Sequence, residues 1–299
     1  MKARSTSLEV LHERAWPGVI ADLVKARLTF LVLLTTLVGF YLGTEGDFSI
    51  PGVVHLLLGT GLLASGAAAL NQWLERDHDA RMRRTEDRPL PSRRLQPETV
   101  VLLGTIASGA GLVYLGMGVN LHAGVLGAVT LLIYLFVYTP LKRVTWMNTI
   151  VGAVPGALPP LIGWTAARGN LEGPGWTLFA ILALWQIPHF FAIAWMYRDD
   201  YGRAGFAMLP AIDPSGRRTA RHAVMFCWLL LGASLLPWVF GLTGHVYLAG
   251  ALGLGLFFVG RAHQFNRERS EQRARSLFYG SILYLPLLLG LMLVDKWKG

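Results

Sequence analysis

Nine apolar stretches of about 20 residues, separated by short charged loops, dominate this chain of 299 residues. They run over 22–44, 52–75, 96–117, 121–139, 146–165, 175–197, 219–240, 244–260 and 275–295. About 20 apolar residues is the length at which an α-helix crosses bilayer hydrocarbon, where each backbone polar group must be paired within the spanning element. The pattern predicts an all-α polytopic membrane protein of about nine transmembrane helices, a single domain over 1–299. With 53% hydrophobic and only 15% charged residues, the chain does not read as a soluble globule, a disordered segment or a fibrous repeat.

The formal charge of +9 would point to nucleic acid in a soluble protein, but here its distribution decides. Residues 1–27, 76–94, 140–145, 198–221 and 261–275 hold 24 of the 27 Lys and Arg, leaving Arg168, Lys296 and Lys298 for the opposite side. This is the positive-inside bias. It predicts a cytoplasmic N-terminus, an outer C-terminus and no nucleic-acid partner. Residues 1–19 carry Glu9, Glu13, Arg14 and Pro17 without a compact apolar core before a cleavage site. They are expected to form a cytoplasmic segment, neither signal nor transit peptide, which leans toward a bacterial inner (plasma) membrane. Cys227 is the one cysteine, so the chain makes no intrachain disulfide and no Cys-based metal site. Gly61, Gly66, Gly104, Gly109 and Gly156 within the spans fit close helix packing in lipid.

The second span ends in Asn71-Gln72-Trp73-Leu74-Glu75-Arg76-Asp77-His78-Asp79. Asn71, Glu75 and Asp79 are spaced i, i+4, i+8, which lines three oxygen-bearing side chains along one helix face. Acids at a membrane helix end are costly against lipid and should face a cavity or partners. Magnesium is typically held by one or two carboxylates together with water and substrate phosphates, so the row can hold Mg²⁺ for a diphosphate. Asp77 is a further acid beside it. Arg76, Arg81, Arg83, Arg84 and Arg88 follow closely, and guanidinium forks match phosphate oxygens bidentately. The same residues would also make a solvated helix end with its acids and arginines paired. No Gly-rich phosphate loop is present.

Two more loops fall on the same predicted side. One carries Asp199, Asp200 and Arg203, with Asp200 the better candidate for a second metal contact around one diphosphate. The other carries Lys142 and Arg143, which fit either the positive-inside bias or neutralisation of a leaving diphosphate. His189, beside Pro188 in the sixth span, is an ionisable group within the membrane and so a candidate for contact with a porphyrin, for substrate orientation or for proton transfer. A hydrogen-bonded structural histidine fits its position equally.

The asparagine-acid-acid row, the Arg-rich loop and the Asp-containing loop resemble the intramembrane (UbiA-type) prenyltransferases. Further stretches resemble that superfamily's haem-farnesylating branch. They are Lys25-Ala26-Arg27-Leu28-Thr29, Tyr138-Thr139-Pro140-Leu141-Lys142-Arg143, Asn148, Gly156 to Trp164, Trp185-Gln186-Ile187-Pro188-His189-Phe190, and Asp200-Tyr201 ahead of Met208-Leu209-Pro210. The resemblance spans about residue 20 to Asp295. It implies helices around a central cavity open to lipid, and Mg²⁺-dependent transfer of a farnesyl group from farnesyl diphosphate to a vinyl group of haem B, with hydration, giving haem O. Haem B is then substrate, not cofactor.

By motif position, Asn71, Glu75, Asp79 and Asp200 would hold metal, and Arg84 and Lys142 would meet diphosphate. Beside them, Asp77 and Asp199 are lesser metal candidates, Arg76, Arg81, Arg143 and Arg203 are further cations for diphosphate, and His189, Trp164 and Trp185 are candidates for haem contact. Trp164, Trp185, Phe190 and Phe191 can also shield an allylic cation. The resemblance further implies a downstream haem-modifying membrane enzyme as partner. Glu75 stands where the wider superfamily usually carries Asp, which puts the carboxylate on a longer arm. Two other readings remain compatible with the residues: prenyl transfer to a quinone precursor or other aromatic acceptor, and a multi-span ion-coupled transporter. A structural assembly subunit is a third, one that predicts alanine tolerance in the acidic rows.

Overall fold

The computed structural model describes residues 16–296. Residues 1–15 of the expected cytoplasmic segment, and Lys298, lie outside the described residues. The helices are α1 (Trp16–Leu23), α2 (Ala26–Gly43), α3 (Ile50–Asp79), α4 (Pro97–Gly118), α5 (Leu121–Leu132), α6 (Thr139–Leu141), α7 (Asn148–Arg168), α8 (Gly173–Met196), α9 (Arg198–Arg203), α10 (Leu209–Ile212), α11 (Arg217–Val239), α12 (His245–Arg267) and α13 (Glu271–Val294). Among the described residues, nine helical segments are long and apolar enough to span a bilayer, counting α5 through α6 as one. The only β pairing among them is an isolated bridge between Thr243 and Lys296.

Local chemistry sets several ends. Ser49 Oγ accepts the Gly52 N–H at 3.1 Å to cap α3, and Asn120 Oδ1 accepts the Ala123 N–H at 2.9 Å to cap α5. Pro97 and Pro174 stand in the first turns of α4 and α8, where no N–H is needed. One span differs clearly from expectation. The eighth was expected to end at 260, yet α12 continues to Arg267. A long guanidinium can extend from a helix toward the interface while its stem stays in apolar surroundings, so Arg261 does not stop the helix.

Between α5 and α6, Ile133–Tyr138 form a π-helical turn. Pro140 has no N–H to give the Phe136 carbonyl, and the wider turn instead brings the Thr139 N–H to the Tyr134 carbonyl. The Thr139 hydroxyl donates to the same carbonyl at 2.8 Å. Such turns rotate side chains off the regular helix face.

Two large apolar clusters hold the bundle: one joins α2, α7, α8, α11, α12 and α13, and the other joins α2, α3, α4, α5 and α7. Two smaller clusters lie around Met82 and Tyr201 and around Leu23 and Leu90. Tyr247 Oη donates to the Ser234 carbonyl at 2.7 Å, and Ser234 Oγ meets Tyr284 Oη at 2.7 Å, so α11, α12 and α13 share a satisfied polar lock. Large apolar side chains such as Leu102, Ile106 and Val113 face outward, as lipid allows and water does not. The deepest backbone approach is between α2 and α7. A Cβ on Gly163 would collide with the Thr36 carbonyl oxygen, and one on Gly39 with that of Pro160. Gly163→Val should therefore lower stability by about 3 kcal/mol, read as a fall in unfolding midpoint. Gly232→Val, where an added Cβ meets nothing within 4 Å, should change it little.

Successive spans reverse direction, so the end of α3, the α6–α7 turn, the α9–α10 segment and the α12–α13 turn lie on one face of the bundle.

Candidate active site

Asn71, Glu75 and Asp79 lie on the inner face of α3 and are buried, at 0%, 3% and 2% exposure. Each meets a partner brought by another part of the chain. Lys142 Nζ donates to Glu75 Oε1 at 2.7 Å, Arg88 Nη1 to Asp79 Oδ2 at 2.6 Å, and Lys25 Nζ to Asn71 Oδ1 at 2.7 Å. The Asn71 amide is used at both ends, since its Nδ2 donates to Thr139 Oγ1 at 3.0 Å. The π-helical turn completes this wall. It puts Tyr134 Oη 3.3 Å from Lys25 Nζ and the Tyr138 ring beneath Lys142 Nζ, 4.5 Å from centroid to nitrogen.

Lys25 sits in the turn between α1 and α2 at φ 49°, ψ 54°, a left-handed conformation unusual for a residue with a side chain. Gln72 fixes that turn by donating from Nε2 to the carbonyls of Asp22 and Leu23, both at 2.8 Å. The strain is thus held by α3 at the point where it delivers an ammonium to the acidic row. Burial, and next the Arg88 charge, push the Lys25 ammonium down to about 7. Burial would lower Lys142 too, but the Glu75 carboxylate overrides it and holds that ammonium above its usual range.

These groups open on a cavity of 180 Å³ with Lys25, Glu75, Asp79, Arg84, Arg88 and Lys142 on its polar side and Phe190, Ile193, Ala194 and Met208 on its apolar side. The loop after α8 closes its rim. His78 Nδ1 donates to the Ala204 carbonyl at 2.8 Å, and Arg84 Nη2 donates to Tyr201 Oη at 3.3 Å. The Ala207 N–H donates to the Lys142 carbonyl at 2.7 Å. Asn148 lines the same cavity, and its buried Oδ1 lacks a hydrogen-bond partner.

The expected site residues divide. Glu75, Asp79, Arg84 and Lys142 line the cavity. Asp200 pairs with Arg203 on α9 and is not part of that lining. Asp77, 3.6 Å from Arg76, and Asp199 face outward. Arg81 is exposed, and Arg143 donates to the Leu74 carbonyl at 2.9 Å. Among the described residues, no three of His, Cys, Asp and Glu converge on one point. The carboxylates that line this cavity are Glu75 and Asp79. Two buried carboxylates facing one polar space, with cations nearby for phosphate, are a donor set that fits a magnesium diphosphate.

His189 and Trp185 keep company. Their rings stack at 4.8 Å, Phe278 also stacks on the His189 ring at 5.0 Å, and His189 Nδ1 meets Ser281 Oγ at 2.7 Å. Trp164 is elsewhere, buried against Gly175, ten residues or about 15 Å along α8 from Trp185. Phe190 lines the cavity, whereas Phe191 is buried beside the His222 ring. Sequence reasoning placed Arg88 among the guanidiniums able to meet phosphate but assigned no role to Lys25, Tyr134 or Asn148; the structure pairs Arg88 with Asp79, nine residues before it.

The arrangement of spans is that of the intramembrane prenyltransferase fold. A structure of digeranylgeranylglyceryl phosphate synthase superposes with a TM-score of 0.80 at 15% identity, covering 93% of this chain and 98% of that one. A UbiA homolog from Archaeoglobus fulgidus bound to DMAPP and Mg²⁺ superposes with a TM-score of 0.62 at 14% identity, covering 91% and 98%. The chain belongs to the UbiA prenyltransferase family, which matches residues 32–287. It is 49% identical over 284 residues to the protoheme IX farnesyltransferase of Solibacter usitatus, covering 92% of this chain and 97% of that one. It is 39% identical over 280 residues to the mitochondrial protoheme IX farnesyltransferase of Homo sapiens, covering 94% of this chain and 62% of the other.

Proposed function

We propose that this chain farnesylates haem B, taking the farnesyl group from farnesyl diphosphate and giving haem O. The observation that carries the reading is the buried row Asn71, Glu75, Asp79, hydrogen-bonded to Lys25, Lys142 and Arg88 at the wall of one cavity, in a chain whose curated relatives bear that activity in their name.

Glu75 and Asp79 are the groups we assign to Mg²⁺. Bound there, it supplies positive charge to the diphosphate as the allylic C–O bond breaks. Lys142, Arg88, Arg84 and Lys25 meet the phosphate oxygens and are fixed before the charge develops, so little reorganisation is needed. Asn71 holds the Lys25 ammonium in line, and Thr139 holds Asn71. Phe190 and the other apolar wall residues of the cavity exclude water from the allylic carbon. The vinyl π bond of haem attacks that carbon, and water adds to the resulting porphyrin-side cation with loss of a proton. We assign His189 and Trp185 to the porphyrin side, and Asp200 to a supporting place at the rim through Arg203. The chain is an integral membrane protein; we place the site face in the cytosol of a bacterium, by the Lys and Arg bias and the bacterial relatives.

The test supplies membranes containing the full chain with farnesyl diphosphate and both haem B and 4-hydroxybenzoate. Haem O is the expected product. A prenylated benzoate in its place would move the chain to the aromatic-acceptor branch, and no prenylated product from well-expressed protein would defeat the reading.

Lys25→Gly gives a second check. Glycine accepts the left-handed turn without strain, so the unfolding free energy should stay within about 1 kcal/mol of the parent. The lost charge-assisted contact should raise KM for farnesyl diphosphate about 10-fold or more. An unchanged KM would remove Lys25 from the diphosphate site.

A further inference from the structure

A second hollow, of 430 Å³, lies between α12 and α13 on the site face of the bundle. On α13, Gln272, Arg275, Ser276, Tyr279 and Leu283 line it, and on α12 Phe257 and Arg261 do. The α13 positions form one stripe of the helix. Phe278 and Ser281, which meet His189, stand two residues beyond Ser276 and Tyr279 and so about 200° further round. The hollow therefore faces away from the active site. Tyr279 and Leu283 are 66% and 51% exposed, so it opens outward, where the acyl chains of the bilayer lie.

Its charge is not balanced from within. Arg261 stands six residues before the end of α12, about 9 Å in from that end. A guanidinium at this depth needs a partner. It donates to Ser276 Oγ at 3.1 Å and lies 4.9 Å over the Phe257 ring, and neither partner carries a negative charge. Arg275 pairs with Glu271 at 2.6 Å. Two guanidiniums against one carboxylate leave the groove positive, with an apolar floor beneath.

We propose that this groove binds one anionic phospholipid of the adjoining leaflet. Arg261 and Arg275 take the phosphate oxygens as bidentate donors, helped by the Gln272 amide. One acyl chain lies along Phe257, Tyr279 and Leu283. Basic pockets between membrane helices are a recurring way to hold such headgroups.

The full chain is reconstituted in lipid discs of phosphatidylcholine, with or without phosphatidylglycerol, and retained lipid is counted by native mass spectrometry. One phosphatidylglycerol should be retained in preference to phosphatidylcholine, with a higher unfolding midpoint. Arg261→Gln/Arg275→Gln should lose about tenfold in retention and lose the midpoint gain. Arg275→Gln and Leu283→Trp alter outward-facing positions, so they decide the matter should the double variant not fold; each should reduce retention. Equal retention of the two lipids, or retention unchanged in these variants, overturns the proposal. A midpoint gain from millimolar inorganic phosphate, without lipid retention, overturns it in favour of a soluble anion.

Discussion

Glu75→Gln is expected to lower turnover by about 10²- to 10³-fold and to destabilise the bundle at the same time. The carboxylate is 3% exposed and 2.7 Å from the Lys142 ammonium, itself largely enclosed. Removing one charge of a buried pair strands the other, at a cost of about 3–5 kcal/mol. Lost activity in this variant alone would therefore be ambiguous between chemistry and folding. Glu75→Gln/Lys142→Met separates them, because it removes both charges and keeps the volume. Its unfolding midpoint should recover most of the loss, since a buried ion pair is often replaceable at little net cost. Turnover should not recover, because the group assigned to the metal and a phosphate donor are both gone. Turnover returning with stability would make the pair a structural device only.

The sequence makes the nine spans legible because lipid imposes a strict length and a strict polarity on each of them. It is less informative where charge and helix coexist, as at Arg261, where apolar character ends some seven residues before α12 does. The π-helical turn is hidden for a different reason. Ile133–Tyr138 read as an ordinary apolar run, and only the missing N–H of Pro140 marks the place where the regular ladder must change.

The same division runs through the site. Asn71, Glu75 and Asp79 are readable as one face because their alignment follows from helical period alone. Their partners are not, since Lys25 and Lys142 arrive from 46 and 67 residues away and nothing local encodes that meeting. Asp200 shows the converse. The expectation of one shared acidic centre rested on two loops lying on one face, which they do, tied by His78 and Ala204. A shared face does not fix side-chain direction, and Asp200 turns to its neighbour Arg203.

Chelation of divalent metal by EDTA is expected to stop product formation and excess Mg²⁺ to restore it, but binding measurements are more telling. Both cavity carboxylates are held by cations, Glu75 by Lys142 and Asp79 by Arg88. A metal arriving alone must displace an ammonium or a guanidinium, and a diphosphate arriving alone must draw those cations from their acids. Together they let each charge exchange one partner for another of the same sign. Mg²⁺ and an unreactive farnesyl diphosphate analogue should therefore bind cooperatively, each raising the affinity of the other by one common factor, about 5- to 150-fold. Calorimetric titration of the analogue with and without Mg²⁺ measures that factor. Lys142→Met frees Glu75, so Mg²⁺ alone should bind this variant more tightly than the parent and the factor should shrink. Asp79→Asn should weaken Mg²⁺ in the presence of analogue while the analogue alone still binds. Equal affinity of the parent for the analogue in both conditions would take the metal away from Glu75 and Asp79 and leave their pairing with Lys142 and Arg88 as a purely structural feature.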